Sequence, residues 1–288
     1  MQKITIENPG IAQERQDTSM VDRDALEELY AKYNRREYVH PDPLEFLYDY
    51  PDPADREIVG LIASCLAYGG VRQILKSVGR VLERIPEPAR ILSSTSRAKL
   101  ERTFKDFKHR FTTGEELASM LYGAARVIKR FGSIENCVLD GMSEDSDSIL
   151  PGLCRLVDEI CRESGSGFMH LLPHPNRKSA CKRLNLFARW MVRGDEVDPG
   201  GWYNVPSSGL VVPIDIHMHR ICRSLGMTGR SQADLRTAIQ ITETFRRFSP
   251  DDPVKYDFAL TRLGIRKELD PKDFIERCTD CRVSSKSA

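Results

Sequence analysis

Apolar residues recur at helical spacing along most of this chain. After Asp22, the side chains Leu26, Leu29, Tyr30 and Tyr33 share one helical face. Ile58, Leu61, Ile62, Cys65 and Leu66 repeat at i, i+3, i+4, i+7 and i+8, with Asp55 as the expected cap. That helix is predicted to stop at Tyr68-Gly69-Gly70, and a second runs through Val71, Ile74, Leu75, Val78, Val81 and Leu82. The same periodicity predicts helices near 97–110, 115–131, 148–163, 179–193, 213–225, 231–247 and 254–264. Turn signals separate them, among them Pro86-Glu87-Pro88, Phe131-Gly132-Ser133, Asp198-Pro199-Gly200-Gly201 and Ser249-Pro250. Alternating strand patterns are scarce and no internal repeat is visible, so the expected class is all-α.

Residues 1–20 are polar and aperiodic and read as a tail. The remaining length is enough for one large domain or two modest lobes, each with its own core. Overall charge is uninformative, because 43 Lys and Arg face 42 Asp and Glu. Local charge says more. Arg177, Lys178, Lys182, Arg183, Arg189 and Arg193 form a basic block without an acid, which could face phosphates or be a solvated helix face. No apolar run approaches the ~20 residues of a membrane span. The first residues lack the apolar core of a signal peptide, so a cytoplasmic protein is expected. The eight scattered cysteines are then expected to be reduced.

Three stretches carry candidate chemistry. The first is a turn, Leu172-Pro173-His174-Pro175-Asn176, running into a helix for which Ser179 is the expected N-cap. Lys182 would then sit in the first helical turn, where the helix dipole disfavours an ammonium and favours the nucleophilic free amine. A plain surface lysine is the simpler reading. The second is Val212-Pro213-Ile214-Asp215-Ile216-His217-Met218, in which Asp215 opens a helix whose inner face is Met218, Ile221, Cys222 and Leu225. Taken alone, Asp215 is a helix cap. The third runs from Ser249 through Gly264 and is followed by Cys278 and Cys281 in a C-x-x-C.

Together these stretches resemble the helix-hairpin-helix DNA glycosylase superfamily. The block Pro213-Ile214-Asp215-Ile216-His217-Met218 is similar to the matching segment of 8-oxoguanine DNA glycosylases and of endonuclease III. The pattern around Lys182 looks like an uncharacterised prokaryotic branch, itself similar to archaeal 8-oxoguanine glycosylases. The strong match covers about residues 170–281. The resemblance implies a two-lobed helical fold with the DNA cleft between lobes. One lobe would combine 21–56 with 199–288, and a barrel-like lobe would span 57–198.

It also implies a lysine that attacks the sugar C1′ of a flipped nucleotide and an aspartate, Asp215, that stabilises the developing positive charge. An ungapped match of the hairpin selects Lys178, whereas the apolar register of the helix selects Lys182: from Lys182, Leu184, Phe187 and Ala188 face inward. Arg177, Lys178, Ser179, Arg183 and His217 are the expected DNA contacts. Tyr68, Arg72, Gln73, Trp190 and Trp202 are candidates for the base pocket or for filling the gap left in the duplex. The expected partner is double-stranded DNA with a damaged base, 8-oxoguanine first, bound by a monomer. A bifunctional glycosylase and AP lyase is the leading expectation, and a non-catalytic damage-sensing module the alternative.

Two departures stand out. The family hairpin is glycine-rich, but here it carries Pro173 and Pro175, and proline removes a backbone donor. The C-x-x-C lacks the further cysteines an iron–sulfur cluster needs, so neither metal nor cofactor is expected.

Overall fold

The computed structural model describes residues 21–143, 146–165, 170–177, 179–265, 272–276 and 278. Lys178 and Cys281 lie outside them. The fold is mostly helical, as the periodicity requires. Its helices are α1 (Arg23–Tyr33), α2 (Pro53–Cys65), α3 (Val71–Leu82), α4 (Pro88–Ser93), α5 (Arg97–Phe104), α6 (Gly114–Phe131) and α7 (Ile134–Asp140). They continue as α8 (Leu150–Ser164), α9 (Lys182–Val192), α10 (Ile216–Ser224), α11 (Leu235–Arg246) and α12 (Asp257–Ile265).

Side-chain caps set most of the helix starts. Asp22 accepts from the Asp24 amide to open α1, and Asp52 rather than Asp55 opens α2 by accepting from Ala54. Asp55 reaches instead to the Ala89 amide in α4 and ties those two helices together. Thr113 and Glu116 form a reciprocal capping box at the start of α6. Where a helix was expected over 97–110, α5 stops at Phe104. The chain then turns through an antiparallel hairpin, β1 (Lys108–His109) and β2 (Thr112–Thr113). Two side-chain hydrogen bonds hold this turn. His109 Nδ1 hydrogen-bonds Ser77 at 2.8 Å, and the Tyr68 hydroxyl donates to the His109 carbonyl at 2.9 Å.

The buried side chains form one continuous apolar cluster. Within it α6 packs on α5 and α8, while α2 packs on α9. Gly123 permits the α6–α8 approach, because a Cβ there would lie 2.5 Å from the Ile160 carbonyl oxygen. The early and late parts of the described chain also meet. Helix α1 packs against α12, Lys255 pairs with Glu27 at 2.8 Å, and Arg262 pairs with Asp42 at 3.1 Å.

Candidate active site

Two helix starts converge on one cleft. Lys182 is the first residue of α9, and the preceding residue, Cys181, caps that helix in a left-handed conformation (φ 49°). Ser179 is therefore not the N-cap: its hydroxyl accepts from the Cys181 amide at 3.3 Å and shapes the turn before the helix. Asp215 is the N-cap of α10, accepting from the Met218 amide at 2.9 Å through Oδ1. Its other oxygen, Oδ2, lies 3.0 Å from Lys182 Nζ. The pair is partly open, with the lysine side chain 35% exposed and the aspartate side chain 22%.

The environment of Asp215 favours its charged form. Burial alone would push the carboxyl up, but the Lys182 ammonium, the Met218 amide and nearby His217 outweigh that and hold it below the usual range. Cys181, immediately before Lys182, is pushed up to about 12, chiefly by burial, so its thiol is not a competing nucleophile at neutral pH.

The cleft has a volume of about 320 Å³. Leu186, Val71, Ile74, Pro213 and Phe258 give it apolar walls. Its charged lining is balanced, with Asp42, Asp215 and Asp257 against Lys182, Arg189 and Arg262. Arg262 stacks 4.3 Å above the Phe258 ring while pairing with Asp42 and donating to the Tyr38 carbonyl. Arg189 bridges Asp198 and Asp257 behind the cleft wall, and Arg193 extends the network to Asp195, Asp198 and Asp252. Asp257 is 2% exposed, and its Oδ1 has no hydrogen-bond partner.

The other residues singled out from sequence divide sharply. His217 is exposed and lines the cleft beside Asp215. Arg177 is exposed in a short 3-10 turn over Pro175–Arg177. Arg183 was expected on phosphate, but its guanidinium donates to the carbonyls of Cys65 and His170 and lies 5.1 Å from the Tyr68 ring. The basic block as a whole is not a phosphate-facing stripe, since Arg189 and Arg193 are buried among carboxylates.

The base-pocket candidates fare less well. Trp190 is 1% exposed within the core. Trp202 donates to Glu57 and lines a separate cavity of about 460 Å³ with Glu135, Ile58 and Tyr203. The Tyr68 hydroxyl is spent on the hairpin, bonding the His109 carbonyl and Thr112. Gln73 and Arg72 are exposed on the first turn of α3, and Gly69 and Val71 are the cleft-lining residues of that junction. Asp42, Asp257, Phe258 and Arg262 escaped sequence reasoning. The available signal was a charged residue at each end of the mostly apolar run from Asp257 to Arg262. The hairpin was missed too. It holds Phe111 73% exposed, while Arg110 lies against Gly69, whose added Cβ would come within 2.7 Å of the arginine Cδ.

Among the described residues no group of three or more His, Cys, Asp or Glu side chains is placed to hold a metal ion. No helix among them is long and apolar enough to cross a membrane. No curated protein and no solved structure matches the chain. Residues 42–266, which include both helix starts and the cleft between them, match the model of a family described as protein of unknown function (DUF2400). The chain belongs to that family.

Proposed function

We propose that this protein is a DNA glycosylase with AP lyase activity, acting as a monomer in the cytoplasm on damaged duplex DNA. The observation that carries the reading is the pair formed by Lys182 Nζ and Asp215 Oδ2, 3.0 Å apart at the mouth of an apolar-walled cleft. On this reading the helices form two glycosylase-like lobes with the cleft at their junction, and a base flipped from the duplex occupies it.

The chemistry uses these two groups directly. Asp215 first takes a proton from the Lys182 ammonium, and the freed amine forms a bond to the sugar C1′ as the glycosidic C–N bond breaks. The base leaves with the bonding pair and takes up a proton. That proton passes to the base from Asp215, and the restored carboxylate offsets the positive charge on the sugar–lysine adduct. Opening of the sugar ring gives an iminium between lysine and C1′. Loss of a C2′ proton then expels the 3′-phosphate and nicks the strand. 8-Oxoguanine is the first base to test, because the Asp215 segment is most similar to glycosylases of that lesion.

Borohydride reduction tests the reading, because it converts the iminium into a stable protein–DNA adduct. Duplexes carrying 8-oxoguanine, uracil or an abasic site should yield an adduct with the wild-type chain and none with Lys182→Ala. Asp215→Asn should slow its formation at least ~100-fold, the scale of a lost proton-transfer group. An adduct that survives Lys182→Ala but vanishes in Lys178→Ala would move the nucleophile to Lys178.

A second reading, damage sensing without chemistry, draws on the hairpin. His174 and Asn176 stand where the family hairpin has glycines, and Pro175 between them removes a backbone donor. Lesion-selective binding with neither base release nor adduct would select it.

A further inference from the structure

We propose that the exposed face of α10 is a phosphate-binding track, along which a DNA strand leaves the Lys182–Asp215 cleft. The inference rests on the DNA reading above, but not on its chemistry. Helix α10 starts at the cleft with Asp215 and carries Ile216, Arg220, Arg223 and Ser224 outward on one side. These residues, with His219 and Ser231, line a shallow groove of about 400 Å³ into which no carboxylate projects.

The guanidinium groups of Arg220 and Arg223 make no ion pair or hydrogen bond among the described residues. That sets them apart from Arg183, Arg189 and Arg193, whose guanidinium groups are spent on carbonyls and carboxylates. The two acids that flank the groove in sequence are already engaged: Asp215 pairs with Lys182, and Asp234 pairs with Arg230 and caps α11. His219 is held by the Arg230 carbonyl at 3.0 Å and closes one wall of the groove.

Spacing supports a strand rather than a single small anion. At ~1.5 Å per residue, Arg220 and Arg223 are about 4.5 Å apart along the helix axis. That is comparable with the ~3.4 Å axial rise per nucleotide of one DNA strand, so each guanidinium can reach its own phosphate. Ile216, 71% exposed at the cleft end of the groove, offers apolar surface to the sugar and base edges between them.

The test is fluorescence anisotropy with a labelled, undamaged DNA duplex across a series of salt concentrations. Each phosphate contact adds about 0.9 to the slope of log affinity against log salt. Arg220→Ala and Arg223→Ala should each lower that slope by about 1, and the double variant by about 2. The double variant should also bind on the order of tenfold more weakly at low salt. Lys129→Ala, on α6 at the separate cavity, should leave the slope unchanged.

Borohydride adduct yield at saturating DNA should be equal in the wild type and the double variant, since the lost contacts hold the strand and not the reacting atoms. An unchanged slope in a double variant that melts like the wild type overturns the track, as does tighter binding of an RNA duplex of the same sequence. A wild type that shows the expected slopes but yields no adduct overturns the glycosylase reading and leaves the track standing. Adduct formation with unchanged slopes does the reverse.

Discussion

At the residue scale, Asp215 divides its two oxygens between a backbone amide and an ammonium, and both partners favour its charged form. The folded protein therefore binds this proton more weakly than the unfolded chain does. The resulting stabilisation is complete above the ordinary aspartate value of about 4 and is lost as pH falls through the lower folded value. Thermal melts of wild type and Asp215→Asn should differ near neutral pH and converge in acid. Parallel curves down to the lowest pH would mean that Lys182 and the Met218 amide do not stabilise the carboxylate.

One position thus serves as helix cap and as ion-pair partner together. A carboxylate that only capped a helix could face solvent. This one faces a lysine across a cleft because α9 and α10 begin side by side.

At the element scale, Glu57 shows the opposite titration. Burial pushes its carboxyl up to about 7, against the Ile134 amide and the Trp202 indole N–H, which favour the charged form. Through these bonds a side chain of α2 caps α7 and pins the segment that carries Trp202. The protonated form fits the fold better than the unfolded chain, so its stabilisation is complete below about 4.5 and is lost as pH rises through about 7. The difference corresponds to roughly 3 kcal/mol. Glu57→Gln keeps one acceptor oxygen and removes the titration, so wild-type melting temperature should fall relative to the glutamine variant between those two pH values. A constant gap between the two variants would rule this out.

The α6 start makes a simpler case. Thr113→Ala removes one half of its capping box and should cost about 1 kcal/mol, read from denaturant unfolding. No loss would show that the hairpin alone fixes that helix end.

At the scale of the whole molecule, Arg189 connects distant segments. From α9 it pairs with Asp198 in the segment after the helix and with Asp257 at the head of α12. Arg193 joins the same cluster one turn later. Removing one member leaves buried carboxylates uncompensated, which costs on the order of 3–5 kcal/mol. Arg189→Met should therefore unfold at markedly lower denaturant and loosen α12 against the cleft, visible as faster amide exchange across residues 257–265. Near wild-type stability would mean that the cluster is dispensable to the fold.

Sequence periodicity determined the helical class and the inner faces of α2 and α10, because burial of an apolar stripe acts locally and repeats every turn, whereas Val71, expected on the inner face of α3, is exposed. It also drew attention to Lys182 and Asp215, whose positions at helix starts follow from short-range backbone geometry. Tertiary structure decided what short range could not. The hairpin at 108–113 depends on Tyr68 and Ser77, more than thirty residues earlier in the chain. The basic block from Arg177 to Arg193 has one sign in sequence, yet Arg189 and Arg193 point inward because carboxylates from Asp198, Asp252 and Asp257 meet them only after folding. Trp202 turned away from the cleft for the same reason, since a core partner 145 residues away is invisible to local pattern. The spacing that matters most, 3.0 Å between Lys182 and Asp215, joins residues whose separation along the chain sets no distance at all.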